Sequence, residues 1–338
     1  MESLALTLGG CCQRAVLSFR SMAAYSIGVD LGGTNLRAAA IDRSGRMLEK
    51  ISGSTDYADG RDAVLADLAR AVTTLRERHG AADLAGIGVG VPGFIRIRDG
   101  YLTGSNNLPY LENFPVRDEI SKRVETLVIL ENDANAAALG EQWMGAGRGV
   151  DDLVLLTLGT GIGGGIIAGG RIVHGHAGMA GEIGHTTIFP DGNPCGCGSR
   201  GCLEKHASAT AVTAMARLMH LGDNLTSKDV YDLARGNGPA ADKARAIWGI
   251  VGEALGIALA TLINTFNFPL YLLGGGEVAA WTLFAPEMMR TVERRSFTWR
   301  ATPGEARIEP ATLGPDAGLY GAACLPWQSA GSSGQSRA

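Results

Sequence analysis

The sequence has no apolar run long enough to cross a membrane and no block of like charge. A bilayer span needs about 18–20 consecutive apolar residues, and every apolar stretch in these 338 residues is interrupted sooner. Lys and Arg number 30 against 34 Asp and Glu, and without a basic tail the net charge of −4 disfavours broad binding to a phosphate backbone. These absences predict a soluble protein with neither a membrane nor a nucleic-acid partner. Its 46% apolar residues are enough to bury the cores of about two domains.

Glycine, by contrast, is abundant. The chain has 49 glycines, about twice the average usage of roughly 7%. They stand in short runs between apolar strands and show no period, which excludes collagen. Such runs indicate backbone held close to ligands.

Two of these glycine runs join pairs of predicted strands. Residues 26–31 and 36–42 form strands around a turn at 32–35, and residues 152–158 and 166–168 flank a second turn at 159–165. Both turns are followed by β-type residues, whereas a dinucleotide fingerprint or a Walker loop leads into a helix. NAD binding and the P-loop class are therefore disfavoured. Two such hairpins indicate two similar lobes with a nucleotide clamped between them.

Both hairpin turns carry groups that suit phosphate and Mg²⁺. Glycines let backbone N–H groups approach phosphate oxygens, and an Asp at a strand end can hold Mg²⁺ directly or through water. An ordinary tight hairpin is the alternative for either turn. The candidate nucleotide-binding residues are Asp30, Gly32, Gly33, Thr34 and Asn35 in the first hairpin and Gly159, Thr160, Gly161 and Gly163 in the second.

A candidate catalytic carboxylate follows another buried strand. Residues 127–130 are predicted as a strand and residues 134–143 as a helix, so Asn132 and Asp133 lie at the strand's carboxyl end, where open α/β sheets bind ligands. A carboxylate there can take the proton of a substrate hydroxyl as its oxygen attacks a γ-phosphorus atom. Asp133 is the candidate base, and a simple helix N-cap is the alternative.

Three of the six cysteines lie within eight residues of one another. Cys195, Cys197 and Cys202 form an odd, tight cluster, which suits a metal site in a reducing cytoplasm better than a disulfide framework. With His185 they make a closed set of ligands for a structural Zn²⁺. The carboxylates of Glu182 and Glu204 beside this loop can accept sugar hydroxyls, or they are ordinary surface charges.

The remaining predictions concern secondary structure and the termini. Residues 1–21 are expected to be a disordered or mis-assigned extension, and residues 329–338 a disordered tail. Strands are expected at 84–91 and 270–273, and helices at 62–79, 207–221, 227–234, 240–266 and 317–327.

In this order the motifs resemble the ROK family (repressors, open reading frames and kinases) of the actin-like ATPase superfamily, and its glucokinase members most. The resemblance implies an α/β fold of two actin-like, ribonuclease H-like lobes, each a mixed sheet flanked by helices, with nucleotide and sugar in the cleft. The smaller lobe would comprise 22–133 with 316–328, and the larger 134–315 with the zinc loop. The resemblance covers residues 25–327 and rests on the segments 30–37, 131–135, 158–165, 181–185, 195–204 and 273–276.

The resemblance also implies an activity: transfer of the ATP γ-phosphoryl group to the C6 hydroxyl of a hexose, assisted by Mg²⁺, with glucose favoured. It makes Asp133 the catalytic base and places Gly275 and Gly276 near adenosine. His185 would bind zinc through one ring nitrogen and face the sugar with the other. The residues it assigns to the sugar are Asn132, Asp133, Glu182, His185, Glu204, Gly93 and one of Asn106 or Asn107.

Several alternatives stay open. The hexose could instead be N-acetylmannosamine, N-acetylglucosamine, fructose or allose, and polyphosphate could replace ATP as the donor. A sugar-sensing regulator of the same family needs an N-terminal helix-turn-helix, and too few residues precede the first strand for such a module. We expect a cytoplasmic homodimer.

Overall fold

The computed structural model describes residues 23–55, 60–105 and 107–332. Contacts within the chain divide it into two compact units. Unit 1 takes the residues up to Asp133 and from Leu319 onward, and unit 2 is Ala134–Gly318. The expected N-terminal extension and the segment 333–338 lie outside the described residues.

Unit 1 is built on a five-stranded mixed sheet with the order β3-β2-β1-β4-β7. Strand β2 pairs antiparallel with both β1 and β3, whereas β1, β4 and β7 run parallel to one another. Between β4 and β7 in the sequence, β5 and β6 form a separate two-stranded sheet. The strands of unit 1 are β1 (Tyr25–Leu31), β2 (Asn35–Asp42), β3 (Met47–Ser54), β4 (Leu84–Val91), β5 (Phe94–Arg96), β6 (Tyr101–Gly104) and β7 (Val128–Asn132).

Helices cover this sheet. Helix α1 (Gly60–His79) buries an apolar stripe that shares a core cluster with Ile27 and Val29 of β1. Helix α2 (Val116–Val124) joins the same cluster. The terminal helix α10 (Ala317–Ser332) packs its backbone directly on the sheet, because a Cβ at Gly88 would lie 1.9 Å from the carbonyl oxygen of Ala322.

Unit 2 repeats the same sheet pattern, with the order β10-β9-β8-β11-β12. Strands β8 and β9 form an antiparallel hairpin, and β8, β11 and β12 run parallel. The strands are β8 (Leu153–Leu158), β9 (Ile162–Ala168), β10 (Arg171–Ile172), β11 (Leu270–Gly274) and β12 (Arg307–Pro310). The helices between Asp133 and Ala301 are α3 (Asp133–Met144), α4 (Glu204–Ala207), α5 (Ala209–Leu218), α6 (Ser227–Ala234), α7 (Pro239–Phe266), α8 (Trp281–Arg295) and α9 (Phe297–Ala301).

Helix α7 is long and apolar enough to cross a membrane by length and composition alone. However, 67% of its most apolar window is buried inside unit 2. Trp248, Leu255 and Leu259 of this helix belong to the core cluster that also includes Phe284 and Met288 of α8. Its composition is therefore that of a central core helix.

Most predicted elements are present, with corrections at four places. The second hairpin turn is shorter than expected, because β9 begins at Ile162 and not at residue 166. The helix expected at 207–221 is divided at Ser208, whose extended backbone separates α4 from α5 and whose Oγ accepts the N–H of Ala211 as an N-cap. The strand expected to stop at residue 130 continues through Asn132, so α3 begins at Asp133. The terminal helix extends to Ser332 instead of giving way to a disordered tail at residue 329, and the Ser329 hydroxyl donates to the carbonyl of Leu325 inside it.

Candidate active site

One edge of the sheet in unit 1 carries the predicted catalytic base and several residues predicted to bind sugar or nucleotide. Because β1, β4 and β7 are parallel, their carboxyl ends meet at the same edge. Asp30 lies near the end of β1, Gly93 follows β4, and Asn132 is the last residue of β7. Asp133 is the first residue of α3. The strand order therefore brings together residues that are up to a hundred positions apart in the sequence.

Asn132 and Gly93 are in direct contact. The Asn132 side-chain amide donates to the carbonyl oxygen of Gly93 at 3.2 Å, and the Asn132 backbone N–H donates to Glu131 at 2.9 Å. Gly93 has φ 121°, and a Cβ there would lie 2.4 Å from the carbonyl oxygen of Gly104. Only glycine fits this position, so its backbone is held against the amide that is predicted to bind sugar.

The first hairpin lies beside the same segment. Its turn closes with a hydrogen bond from Gly32 N–H to the carbonyl of Asn35 at 2.8 Å. Asp30 forms an ion pair with Arg37 across the hairpin. A Cβ at Gly33 would lie 3.2 Å from the carbonyl oxygen of Asn107. A predicted phosphate-binding glycine and a predicted sugar-binding residue are thus neighbours.

The side chains of Thr34 and Asn35 in this turn are exposed. The Asn35 side-chain amide donates to Thr34 Oγ1 at 2.9 Å. Asn106 lies outside the described residues.

Sequence reasoning missed Ser105, which connects two parts of this region. Its side chain is buried, and its Oγ donates to the carbonyl of Pro92 at 2.8 Å and accepts the N–H of Leu108 at 3.1 Å. Ser105 therefore fixes the spacing between the end of β4 and the loop that carries Asn107. A serine in a polar loop gives no sequence signal for such a role, because both partners are backbone groups brought close only by the fold.

The second hairpin, in unit 2, also closes with a backbone hydrogen bond, which spans one residue fewer than the bond in the first. The N–H of Gly159 donates to the carbonyl of Gly161 at 3.0 Å. Gly275 has φ 88°, and a Cβ there would lie 2.2 Å from the carbonyl oxygen of Leu158, at the base of this hairpin. Gly276 begins the short helical turn after β11 and has no atom within 4 Å of its Cβ position. The predicted phosphate turn and the predicted adenosine-side glycines are therefore adjacent in unit 2.

Part of the second glycine run has a packing role. Gly163 lies in β9, beyond the turn, and a Cβ there would be 2.9 Å from the Cβ of Ala134. At Gly165 the corresponding distance to the carbonyl oxygen of Ala134 is 2.7 Å. These glycines let the start of α3 approach the sheet of unit 2 closely.

The ligand atoms of His185, Cys195, Cys197 and Cys202 all lie within 4.8 Å of one another. His185 Nδ1 is 3.6 Å from Cys195 Sγ, and Cys197 Sγ is 3.6 Å from Cys202 Sγ. Tetrahedral zinc with Zn–S bonds of about 2.3 Å and Zn–N bonds of about 2.0–2.1 Å places its ligand atoms roughly 3.5–3.8 Å apart. The donor set and its spacing therefore fit Zn²⁺.

Tight turns hold these ligands. Cys195 N–H donates to the carbonyl of Ser199 at 2.9 Å. Gly201 has φ 69°, and a Cβ there would lie 1.5 Å from the carbonyl oxygen of Phe189. Burial raises the pKa of the Cys202 thiol to about 12, whereas the Ser199 N–H lowers the pKa of the exposed Cys197 thiol. A bound cation is what removes the proton from a thiol such as Cys202.

The three residues predicted to bind the far end of the sugar lie around this loop. His185 directs Nδ1 toward the thiols, which leaves Nε2 for another partner. Glu182 is exposed, but neighbouring protein atoms remove part of the water around its carboxyl group. This desolvation raises the pKa of Glu182 and outweighs the lowering effect of the nearby His185. Glu204 is the first residue of α4, and its Oε2 accepts the N–H of Ile162 at 3.2 Å. This last contact, between a predicted sugar ligand and the second hairpin, has no sequence signal.

The chain matches the ROK family over residues 26–329. It is 38% identical over 318 residues to a glucokinase from Halalkalibacterium halodurans, and the alignment covers 89% of this chain and 94% of that protein. A ROK hexokinase from Thermus thermophilus has a TM-score of 0.80 and 32% identity, covering 91% of this chain and 99% of that one. A ROK family glucokinase from Streptomyces griseus, solved in complex with glucose and AMPPNP, has a TM-score of 0.74 and 33% identity, covering 90% of this chain and 99% of that one.

These comparisons confirm the predicted fold class and the predicted resemblance. The mixed sheets flanked by helices are those of the actin-like ATPase fold, which the ROK kinases share. The family match also spans the hairpins, the carboxyl end of β7 and the thiol cluster described above. The chain belongs to the ROK family.

Proposed function

We propose that this protein is an ATP-dependent hexose kinase that converts glucose to glucose 6-phosphate. The observation that carries the proposal is the edge of the sheet in unit 1, where Asn132 and Asp133 stand at the end of β7 and Asp30 lies near the end of β1, next to a glycine hairpin. A carboxylate base next to phosphate-binding backbone is what phosphoryl transfer to a hydroxyl requires. The glucokinases that the chain is similar to support glucose as the hexose.

In this proposal Asp133 accepts the proton of the sugar C6 hydroxyl as the oxygen attacks the γ-phosphorus in line, and ADP leaves. Asn132 binds neighbouring hydroxyls, and its amide is already oriented by Gly93. The other residues proposed to bind sugar hydroxyls are Asn106 or Asn107 in unit 1 and Glu182, His185 and Glu204 in unit 2. Asp30 would hold Mg²⁺, directly or through water, and the ion would supply positive charge to the phosphate oxygens.

The nucleotide phosphates would bind the two hairpins. In the first, the binding groups are Gly32, Gly33, Thr34 and Asn35, and in the second they are Gly159, Thr160 and Gly161, with Gly163 supporting the strand. Gly275 and Gly276 would lie near the adenosine. ATP is the proposed donor, because the similar Streptomyces griseus enzyme was solved with the ATP analogue AMPPNP.

Zinc on His185, Cys195, Cys197 and Cys202 would be structural, because the set is complete without a substrate or water. It would stiffen the loop between His185 and Glu204. Three close thiols suit a reducing compartment, and we place the protein in the cytoplasm as a homodimer.

The experiment is to identify the product. The purified protein is incubated with glucose, ATP and Mg²⁺, and glucose 6-phosphate is detected with a dehydrogenase specific for that ester. We expect one ester formed per ATP consumed. Consumption of ATP without this ester, or an ester at another position, contradicts the proposal.

A further inference from the structure

Helix α5 holds the turn of the second hairpin through its first two residues. The backbone N–H of Ala209 donates to the carbonyl of Gly159 at 2.9 Å. The Thr210 hydroxyl donates to the carbonyl of Thr160 at 2.5 Å. The N–H groups of a helix's first turn lack partners within the helix, and here the hairpin accepts one of them. The hairpin turn is therefore positioned by a helix fifty residues later in the chain.

These bonds fix the direction in which the turn presents its N–H groups. A trans peptide is planar, so the C=O of one residue and the N–H of the next point in opposite directions. Because the carbonyl of Gly159 points toward Ala209, the N–H of Thr160 points away from α5. By the same geometry, the carbonyl of Thr160 points toward the Thr210 hydroxyl, so the N–H of Gly161 points away from the helix.

A third contact acts on the next peptide. The N–H of Ile162 donates to the Glu204 carboxylate at 3.2 Å. The N–H of Gly159 donates to the carbonyl of Gly161 and closes the turn. Both are therefore occupied within the protein. The two N–H groups that the contacts turn outward, those of Thr160 and Gly161, are the pair suited to donate to a phosphate oxygen.

We propose that Thr210 is a positioning residue for the nucleotide phosphates: its hydroxyl holds the Thr160 carbonyl and so directs the Gly161 N–H toward the phosphate chain of ATP. The inference rests on the proposed function and adds a residue outside both glycine motifs. Thr210 is exposed, so it is not needed to fill the core. Its effect should therefore fall on nucleotide affinity more than on folding.

The test compares Thr210→Val with Thr213→Val, one turn later on the same helix. The Thr213 hydroxyl donates only to the carbonyl of Thr210, at 2.9 Å, within the helix. The two variants thus make the same chemical change at neighbouring positions, and only the first removes a bond to the hairpin. AMPPNP affinity is measured by calorimetry on the full chain, with ATP KM and kcat measured alongside.

We expect Thr210→Val to weaken AMPPNP binding and raise the ATP KM by about three- to tenfold, the range for one lost hydrogen bond, with kcat changed less than twofold. Thr210→Ser, which keeps the hydroxyl, should restore the wild-type values. If the wild type is active and the two variants bind AMPPNP with equal affinity, the role of Thr210 is overturned and the proposed function is not. Failure of the wild type to bind AMPPNP overturns both this inference and the proposed function.

Discussion

At the scale of single residues, position at the end of a strand determines what Asp133 can do. The same side chain in the middle of a helix would be a solvated charge. As the first residue of α3, directly after β7, it lies at the sheet edge with Asn132. Such an edge is where open α/β sheets bind ligands.

Replacing Asp133 with Asn tests its role as base. The amide keeps the size of the side chain but cannot accept the proton of the C6 hydroxyl. We expect kcat to fall by about 10²- to 10⁴-fold, the range for loss of a general base, with glucose affinity changed far less. Steady-state kinetics and glucose calorimetry measure the two quantities. A variant with near-normal kcat would remove Asp133 from this role.

The zinc proposal also makes a prediction for single residues. We expect the purified protein to contain about one Zn²⁺ per chain, and Cys202→Ser to lose it and to melt at a lower temperature. Cys324→Ser is the matched control, because Cys324 is a buried thiol outside the cluster, and this variant should keep its zinc. Metal analysis after gel filtration distinguishes them, and equal zinc in both variants would contradict the assignment.

Zinc affinity should also depend on pH. Burial raises the pKa of Cys202 to about 12, so zinc must displace protons to bind these thiols. As the pH falls, protons compete better, and we expect zinc to be lost to a weak chelator at progressively lower chelator concentration. Zinc retention that does not change between pH 8 and pH 5 would argue against thiolate ligands.

At the scale of secondary-structure elements, close backbone approach explains several glycines that carry no chemistry. Gly28 and Gly88 are partners in the β1–β4 register. Cβ atoms at these positions would lie 2.3 Å from the carbonyl oxygen of Leu319 and 1.9 Å from that of Ala322, respectively. Because neither glycine has a side chain, the backbone of α10 packs directly against the two strands here.

Gly88→Ala tests this packing. The added methyl must push α10 away from the sheet, and we expect the free energy of unfolding to fall by about 3 kcal/mol, at the upper end of typical overpacking costs. Gly53→Ala in β3 of the same sheet is the control, because its Cβ would meet no atom within 4 Å. Urea denaturation measures both, and a Gly88→Ala variant as stable as Gly53→Ala would show that the helix does not approach as described.

A buried carboxylate joins two other elements. Glu141 of α3 is fully buried, and it accepts the N–H groups of Ala146, Thr312 and Leu313 at 2.7–3.1 Å. It therefore ties α3, which begins at Asp133, to the segment that follows β12.

Glu141→Ala should be strongly destabilising. It leaves buried N–H groups without an acceptor, at about 1–3 kcal/mol for each one. Glu293→Ala on the exposed face of α8 is the control and should change stability little. Thermal and urea unfolding compare the two variants, and similar stabilities would refute the role given to Glu141.

The sequence allowed the hairpins, the core helices and the order of the motifs to be predicted, because each depends on local pattern. Strand β3 was not predicted, since none of its residues is buried and it lacks a clear apolar alternation. Helix α8 was also not predicted, and Pro286 inside it would normally argue against a helix. The contacts of Ser105 and of Glu204 with distant backbone could not be predicted at all, because only the fold brings those groups together.

At the scale of the whole molecule, the two units show the same pattern of an antiparallel hairpin joined to parallel strands. Each unit contains one glycine hairpin and one group of polar residues that we propose to bind the sugar. The similarity to ROK kinases over nearly the full length of the chain agrees with this repeated organisation. One phosphoryl-transfer function is therefore proposed for the protein as a whole.

The decisive measurement is the rate of ADP release from ATP and Mg²⁺ with each of six sugars: glucose, fructose, mannose, allose, N-acetylglucosamine and N-acetylmannosamine. We predict that glucose gives the highest kcat/KM and that release without sugar is slow, because Asp133 needs a hydroxyl to activate. Preference for another hexose would contradict the choice of glucose and leave the phosphoryl transfer intact. Absence of sugar-dependent ADP release from folded, zinc-loaded protein would contradict the kinase itself.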